Sequence, residues 1–471
     1  MFSSSVSEGL DHCPTERIFW WNVLAMFYGG ALGDALGLPF EFRYSLPISD
    51  YHGKLEYKPM TISRPYGKRY AVVGQTSDDT DMTLALCYSI IESGGYDPDT
   101  AILHYQRWAN SKPLGMGRNT SALFKGVTTT KGYRSRRKKR FDLKNNPENN
   151  QSNGSLMRCA PLALFPGKDY QNVVEDINLT NPNTVNYEIG IIYVKILRQL
   201  LLGKSGLKPL EEAKQTEVIK AIHQAREREI RDVITTGKGW VANSFYCAVY
   251  CLLHFTDYME AINWVIRLGG DTDTNAAIAG NLMGAKMGHI FLTDSRIQHH
   301  LQILLNANPS AGDIPRPEKY HVSQFNDIVL DFAGISPDIQ LKNNNMDHSL
   351  HYFEKGNTPI LVKKKSQEEG EQIYLLYIFL EDSRMITITI IQDEDGLYIV
   401  QSVEIEKRDF GTKDLSEDNL DLFYSYHLCT LFTEALRDRA LDEINAKIRI
   451  LEPTDRNYDI LYGRNFFLLN E

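Results

Sequence analysis

The sequence predicts an α+β protein: an all-α domain over residues 15–341, a linker at 342–349 and a smaller C-terminal α+β domain over 350–471. Three observations predict it. Apolar residues recur at helical spacing through Met82–Ile91, Tyr187–Leu202, Val241–Leu253 and Ile278–Phe291, and few stretches before Lys342 alternate with period two. After a polar break, Lys342–His348, the pattern changes to β-branched and aromatic runs. The charge changes at the same place. Before Met346 there are 37 basic and 35 acidic residues, a net of +2; from Met346 on there are 14 and 25, a net of −11.

In chain order, Gly29–Glu41 (GGALGDALGLPFE) carries four glycines and an Ala-rich face, which predicts a tightly packed first helix with Glu41 on the loop after it. In Gly74–Thr83 (GQTSDDTDMT) Ser77 can cap a helix, Asp78 and Asp79 fall in its first turn, and Met82, Leu86 and Ile90 mark its buried stripe. Gly94-Gly95 and then Asp97-Pro98 are stop signals. Cys247 and Cys251, spaced i,i+4 in an apolar helical pattern, read as core thiols rather than metal ligands. The six cysteines show no disulfide framework and fit a reducing compartment. In Gly269–Gly280 (GGDTDTNAAIAG) a Gly-Gly turn precedes Asp271 and Asp273 at the start of another helix. Ala276, Gly280, Gly284 and Gly288 follow at i,i+4 spacing, a small-residue stripe that lets a second backbone approach closely.

In the tail, Ile360–Lys364, Ile373–Phe379, Met385–Ile391 and Leu397–Val403 read as strands separated by turn formers such as Asp393–Gly396. A long helix over Leu420–Ala446 and a strand-like Lys447–Leu451 follow. The N-terminus has no basic region followed by an apolar one, and no apolar run approaches the ~20 residues that span a bilayer. A soluble, cytoplasmic or otherwise intracellular protein is expected, with nuclear or host-cell delivery still compatible. The overall charge disfavours specific or general nucleic-acid binding. The run Arg134–Arg140 (RSRRKKR) reads as a solvated surface insertion or, less economically, as a nuclear-localisation or polyanion-binding patch. The acidic tail suits a basic protein partner, and a plain solvated surface explains it equally well.

Two segments share a design. Gly74–Thr83 and Gly269–Gly280 each place two carboxylates and a hydroxyl within about four residues at the mouth of a helix. Either alone is explained by the preference of Asp for helix N-termini. Together they predict more: four carboxylates converging in one pocket repel strongly unless a cation neutralises them. All the ligands are hard oxygens, which favours Mg²⁺ or Mn²⁺ over Zn²⁺, and two ions would be the expected arrangement.

The segments GDALGLPFE, SDDTDMTLAL, NGSLMRCAPLALF and GGDTDTNAAIAGNLMGA, in this order, resemble the ADP-ribosylglycohydrolase family, the relatives of the dinitrogenase-reductase-activating glycohydrolase. The resemblance covers roughly residues 20–335. It implies an all-α fold with two Mg²⁺ or Mn²⁺ ions and hydrolysis at C1″ of an ADP-ribosyl group. By motif position the metal ligands are Ser77, Asp78 and Asp79 in one set and Asp271, Asp273 and Thr274 in the other. Ser77 stands where the family more often has Thr, and Thr76 beside it leaves a one-residue ambiguity. Glu41 matches the family's mobile glutamate. Gly115–Thr120 resembles the glycine loop that lies against ADP-ribose, through Gly115, Gly117 and Asn119. Asn153–Arg158 resembles the loop that cradles the diphosphate, through Asn153, Gly154, Ser155 and Met157; Arg158 reads equally as a phosphate contact or as the partner of a carboxylate. The basic insertion lies between these loops and outside the family pattern.

The resemblance implies a metal-dependent ADP-ribosyl hydrolase acting on an ADP-ribosylated protein or an ADP-ribose conjugate. Asp79 or Asp271 would serve as general base, and Glu41 as acid, base or gate. The glycine and diphosphate loops lean toward the arginine-directed branch. The competing readings are a family member that binds ADP-ribose without cleaving it, or that is purely structural, and a dimetal phosphoesterase. The presence of every ligand position argues against the first. The C-terminal unit has only a faint likeness to acyl-CoA N-acetyltransferases in its last residues, and a docking domain for a protein partner is the preferred reading.

Overall fold

A computed structural model of the protein describes residues 18, 20–42, 60–64, 67–142, 150–235, 237, 239–313 and 315–335, together with the backbones of six strands between 349 and 449. The chain divides into two compact units, Met1–Gly288 with His300–Lys342, and His289–His299 with Asn343–Glu471. The helices are α1 (Trp20–Gly37), α2 (Asp78–Ser93), α3 (Pro98–Ala109), α4 (Arg118–Phe124), α5 (Thr130–Arg137), α6 (Gln171–Thr180), α7 (Thr184–Leu201), α8 (Thr216–Arg226), α9 (Val241–His254), α10 (Tyr258–Leu268), α11 (Thr272–Met287), α12 (His289–Thr293), α13 (Ser295–Leu305) and α14 (Gln324–Ile335).

The helix boundaries follow local chemistry. Asp97, Asn183 and Asp257 each cap a helix by accepting from a backbone N–H in the first turn, and Pro98 occupies the first position of α3. Gly94 ends α2 at φ +67°, a conformation that costs glycine nothing. The periodic run Ile278–Phe291 is not one helix. It stops at Gly288, whose φ is +57° and where a Cβ would lie 2.2 Å from Asn22 Oδ1.

The centre of the first unit is the pair α1 and α11. All 18 residues of α1 are buried. The close approach predicted for the small-residue stripe of α11 is met by the glycines of α1. A Cβ at Gly29 would lie 2.4 Å from Gly280 O, one at Gly33 2.2 Å from Ala276 O, and one at Gly37 2.4 Å from Thr272 O. One at Gly284 would lie 2.0 Å from Ala25 O. As one residue number rises by four the other falls by four, so the helices run antiparallel in a single register. Thr272 Oγ1 donates to Gly37 O (2.8 Å), tying the start of α11 to the end of α1, and Tyr258 OH of α10 donates to Gly29 O (2.5 Å) in the middle of α1. Trp20–Phe40 is long and apolar enough to cross a membrane by length and composition, contrary to the sequence reading, but 94% of it is buried within the protein, as in a core helix. Phe27 stacks on Phe325 of α14 (4.8 Å), which closes the core on that side.

A two-stranded antiparallel hairpin, β1 (Met60–Arg64) and β2 (Gly67–Ala71), departs from the all-α expectation. The strands are five residues each, too short for alternation to show. In the second unit, β3 (Ser349–Lys355), β4 (Thr358–Ser366), β5 (Gln372–Phe379), β6 (Met385–Gln392) and β7 (Tyr398–Glu406) form an antiparallel meander, with β8 (Ile448–Arg449) parallel to β7. The sequence reading expected strands where β4, β5, β6, β7 and β8 lie. It missed β3, whose first residue it gave to the linker. The helix expected over Leu420–Ala446 lies outside the described residues.

Candidate functional site

Three backbone segments converge at one end of the α1–α11 pair: the turn after α1, the N-terminus of α2 and the N-terminus of α11. Ser77 is the N-cap of α2. Its Oγ accepts from Asp79 N (3.3 Å) and donates to Asp79 Oδ2 (2.9 Å). Thr274 Oγ1, from α11, donates to the same Asp79 oxygen (3.3 Å), so the two Asp-rich segments are joined directly. Asp273 Oδ1 accepts from Thr274 N (2.9 Å). Glu41, half-buried, follows α1. The next residue, Phe42, is held at φ +49° with its N–H on Gly270 O (2.9 Å), a strained conformation for a bulky side chain, beside the acidic residues.

Carboxylate oxygens of Glu41, Asp271 and Asp273 lie within 4.8 Å of one another, as do those of Asp34, Asp79 and Asp273. Burial, reinforced by Asp271, Asp78 and Asp34, pushes Glu41 up to about 8. Burial and then Asp34 push Asp78 to about 6. Burial also raises Asp34, Asp79, Asp271 and Asp273; the neighbouring carboxylates add to this for Asp79 and Asp273. Among the described residues no lysine or arginine pairs with this cluster. Asp79 Oδ1 is buried without a hydrogen-bond partner. Concentrated negative charge, an orphaned carboxylate oxygen and a donor set made only of oxygens fit a hard divalent cation.

The remaining residues of the sequence reading surround this cluster in different ways. The turn 115–117 abuts Asp78: a Cβ on Gly115 would lie 2.6 Å from Asp78 Oδ1. Gly117 and Gly154 both approach Thr120 Oγ1, the positions of their absent Cβ atoms lying 4.0 and 3.9 Å from it, so the glycine loop and the 153–155 turn are neighbours. Asn153 turns its amide toward the carboxylates, donating to Asp271 Oδ2 (2.9 Å) and to Ser244 Oγ (3.0 Å); Ser244 in turn donates to Asn275 Oδ1 (2.7 Å). Asn119 faces away into structure: its amide donates to Asn150 Oδ1 (2.9 Å) and Thr180 O (2.5 Å) and its Oδ1 accepts from Arg140 Nε (2.5 Å). Ser155 is buried and its Oγ accepts from Asn186 (3.3 Å); Met157 is buried, and its carbonyl accepts from Thr83 Oγ1 (3.4 Å). Arg158 is fully buried and paired with Asp176 (2.9 Å), with further bonds to Tyr105 OH, Gly154 O and Thr180 Oγ1, which settles it as a carboxylate partner. Thr76 lines a separate small cavity with Gln75 and Arg316, whereas Ser77 Oγ meets Asp79.

The basic insertion is less free than a solvated patch. Arg134 pairs with Asp99, Arg136 donates to Lys125 O, Arg137 binds Asn178, and Arg140 holds Asn119.

Sequence reasoning missed Asp34, the Ser244–Asn275 support of Asn153, and the turn at Gly239. A Cβ on Gly239 would stand 3.0 Å from Asp271 Oδ2, and its carbonyl accepts from Asn153 N (2.9 Å). A signal for Asp34 existed: it is the one charge in an otherwise apolar, Gly-rich helix, where an acid is rarely placed without a task.

The ADP-ribosylglycohydrolase family matches residues 20–295. The ADP-ribosyl-[dinitrogen reductase] glycohydrolase of Rhodospirillum rubrum is 26% identical over 275 residues, covering 57% of this chain and 86% of that protein. The ADP-ribosylarginine hydrolase Tri1 of Pseudomonas putida is 25% identical over 280 residues, covering 55% of this chain and 69% of that protein. A solved structure titled ADP-ribosylglycohydrolase-related protein complex is 20% identical, with a TM-score of 0.45 over 67% of this chain and 98% of that chain. The chain belongs to the ADP-ribosylglycohydrolase family.

Proposed function

We propose that the chain is a divalent-cation-dependent ADP-ribosyl hydrolase that cleaves the C1″ glycosidic bond of an ADP-ribosylated protein or ADP-ribose conjugate, with arginine the favoured acceptor. The observation that carries this is the gathering of Glu41, Asp79, Asp271 and Asp273 from three helix ends, with Asp79 Oδ1 buried and unpaired. The arginine preference rests on the glycine and diphosphate loops and on the likeness to an ADP-ribosylarginine hydrolase.

Ser77, Asp78, Asp79, Asp271, Asp273 and Thr274, with Glu41 beside them, are the residues that would hold two ions, Mg²⁺ or Mn²⁺. Such ions supply charge compensation and a more acidic water. The chain's own groups do the rest. The carboxylates stabilise positive charge developing at C1″ in an oxocarbenium-like transition state. Asp79 is the favoured base, because Asp271 Oδ2 is already engaged by Asn153 while Asp79 Oδ1 has no partner. Glu41 sits at the rim, half-buried, where it can protonate a leaving group or close over the bond. Gly115 and Gly117, bare of side chains, and the 153–155 turn beside them form a wall for the ADP-ribose.

The test is release of ADP-ribose from arginine-linked and serine-linked substrates, with Mg²⁺, with EDTA, and in Asp271→Ala and Asp273→Ala variants. The expected result is release that needs the cation and drops by several orders of magnitude in both variants. A folded Asp273→Ala protein with near-normal turnover would overturn the assignment. Binding of ADP-ribose without release from either substrate would make the chain a binding protein instead.

A further inference from the structure

We propose that Asp34 is the positioning residue that fixes the Ser77–Asp78–Asp79 segment, and that it is not itself a cation ligand. The inference rests on the metal-centre reading above. Distance alone leaves both roles open, since an Asp34 oxygen lies within 4.8 Å of carboxylate oxygens of Asp79 and Asp273. Hydrogen bonding separates them. Asp34 Oδ2 accepts from Thr80 Oγ1 (2.6 Å), Thr80 N (3.1 Å) and Ser77 N (3.0 Å), and Oδ1 shares the Ser77 N–H (3.1 Å). Both oxygens are engaged, in contrast to Asp79 Oδ1, which has no partner.

The placement of these bonds gives Asp34 its task. The first N–H groups of a helix have no partner within it and must be met from outside. Ser77 meets the N–H of Asp79, and Asp34 meets that of Thr80. Asp34 also grips Ser77 N, so its two backbone contacts bracket Asp78 and Asp79. The backbone of these two residues is held between two fixed points. Asp34 itself is fully buried on α1, one residue from Gly33, where α1 and α11 touch. A single carboxylate therefore ties the α2 ligand segment to the helix that ends near Glu41 and packs on the helix that starts at Asp271.

The test is an electron paramagnetic resonance titration of free Mn²⁺ against the full chain, in wild type, Asp34→Asn and Thr80→Val. Thr80→Val keeps shape and backbone, removes the shortest bond to Asp34, and replaces none of the proposed ligands. The expected result is unchanged Mn²⁺ stoichiometry with affinity weakened roughly tenfold or more in both variants, the usual effect of losing a group that orients a ligand. Turnover at saturating Mn²⁺ should return most of the way to wild type in Thr80→Val. Loss of one Mn²⁺ per chain in Asp34→Asn, with wild-type affinity in Thr80→Val, would make Asp34 a ligand and overturn the proposal. Wild-type affinity in both would overturn it as well. If Asp34→Asn does not fold, Thr80→Val decides alone: weakened affinity supports the proposal and wild-type affinity overturns it. No Mn²⁺ binding by the wild type would refute the metal centre, and this inference with it. Mn²⁺ binding without hydrolysis would refute only the proposed activity.

Discussion

Replacing Gly33 with alanine tests whether the α1–α11 contact both holds the fold and sets the site. The added Cβ would stand 2.2 Å from Ala276 O, where real contacts begin a little above 3 Å, so the two backbones must part by about 1 Å. No rotamer change relieves a clash with a carbonyl oxygen, which puts the penalty at the upper end of the about 1–3 kcal/mol typical of overpacking. Alanine in a helix interior returns about 1 kcal/mol through propensity. The net expectation is a loss of about 1–2 kcal/mol. Gly190→Ala is the matched control. Its Cβ would meet Ile177 Cδ1 at 2.1 Å, but that atom is the end of a flexible side chain that can rotate away. With the same gain in propensity, Gly190→Ala should lie within about 1 kcal/mol of wild type. Urea unfolding followed by far-ultraviolet circular dichroism reads both. Because Asp34 neighbours Gly33, the same displacement should weaken Mn²⁺ binding in Gly33→Ala and leave it unchanged in Gly190→Ala. A Gly33→Ala protein as stable as wild type, binding Mn²⁺ as tightly, would refute the reasoning.

Three other outcomes are expected. Glu41 and Asp78 stand at about 8 and about 6 in the folded chain against ordinary values of 4.5 and 3.8. The unfolded chain therefore releases these protons first, and their contribution to stability falls as pH rises from roughly 4 to 8. A bound cation favours the ionised folded form, so the gap in Tm between Mg²⁺ and EDTA should widen across that window; a pH-independent gap would count against the cluster as a cation site. Asp176→Asn strands the fully buried Arg158 and should cost about 3–5 kcal/mol in chemical denaturation, and a loss under 1 kcal/mol would show that the pair is not the anchor the geometry makes it. Gly115→Ala drives a methyl against Asp78 Oδ1, at 2.6 Å, and should lower Mn²⁺ affinity several-fold while global stability changes little; unchanged affinity would separate the glycine turn from the proposed cation site.

What the sequence made legible was local. Ser77, Asp78, Asp79, Asp271 and Asp273 stand at helix starts as expected, because capping and helix-dipole preferences act within one turn. The stop at Gly94 followed for the same reason. Partnerships across the chain were not legible. Arg158 offered two equal readings until Asp176 was seen 2.9 Å away. The arginines of 134–140 read as surface, and Arg134 is exposed, but nothing in the run announces that Arg137 meets Asn178 or that Arg140 meets Asn119. Asn153 sat in a loop that reads as a diphosphate cradle, and nothing in its neighbours announces that its amide would meet Asp271, 118 residues further on.

The glycines show how local and distant information meet. Each of the two small-residue segments announced a close neighbour, and neither said that the neighbour was the other. Their common spacing of four residues narrows the choice, because two antiparallel stripes of equal period mesh only in steps of one turn. A slip by one turn would carry Asp271 and Asp273 about 5–6 Å along α1 relative to Glu41. A slipped pair still sets small residues together, Gly33 against Gly280 and Gly37 against Ala276, but parts these three residues, whose oxygens lie within 4.8 Å of one another. Apolar packing alone does not choose between the registers. One bond does: Thr272 Oγ1, at the start of α11, reaches Gly37 O, at the end of α1, in one register only. That hydroxyl, outside the acidic cluster, thereby fixes where Asp271 and Asp273 stand relative to Glu41.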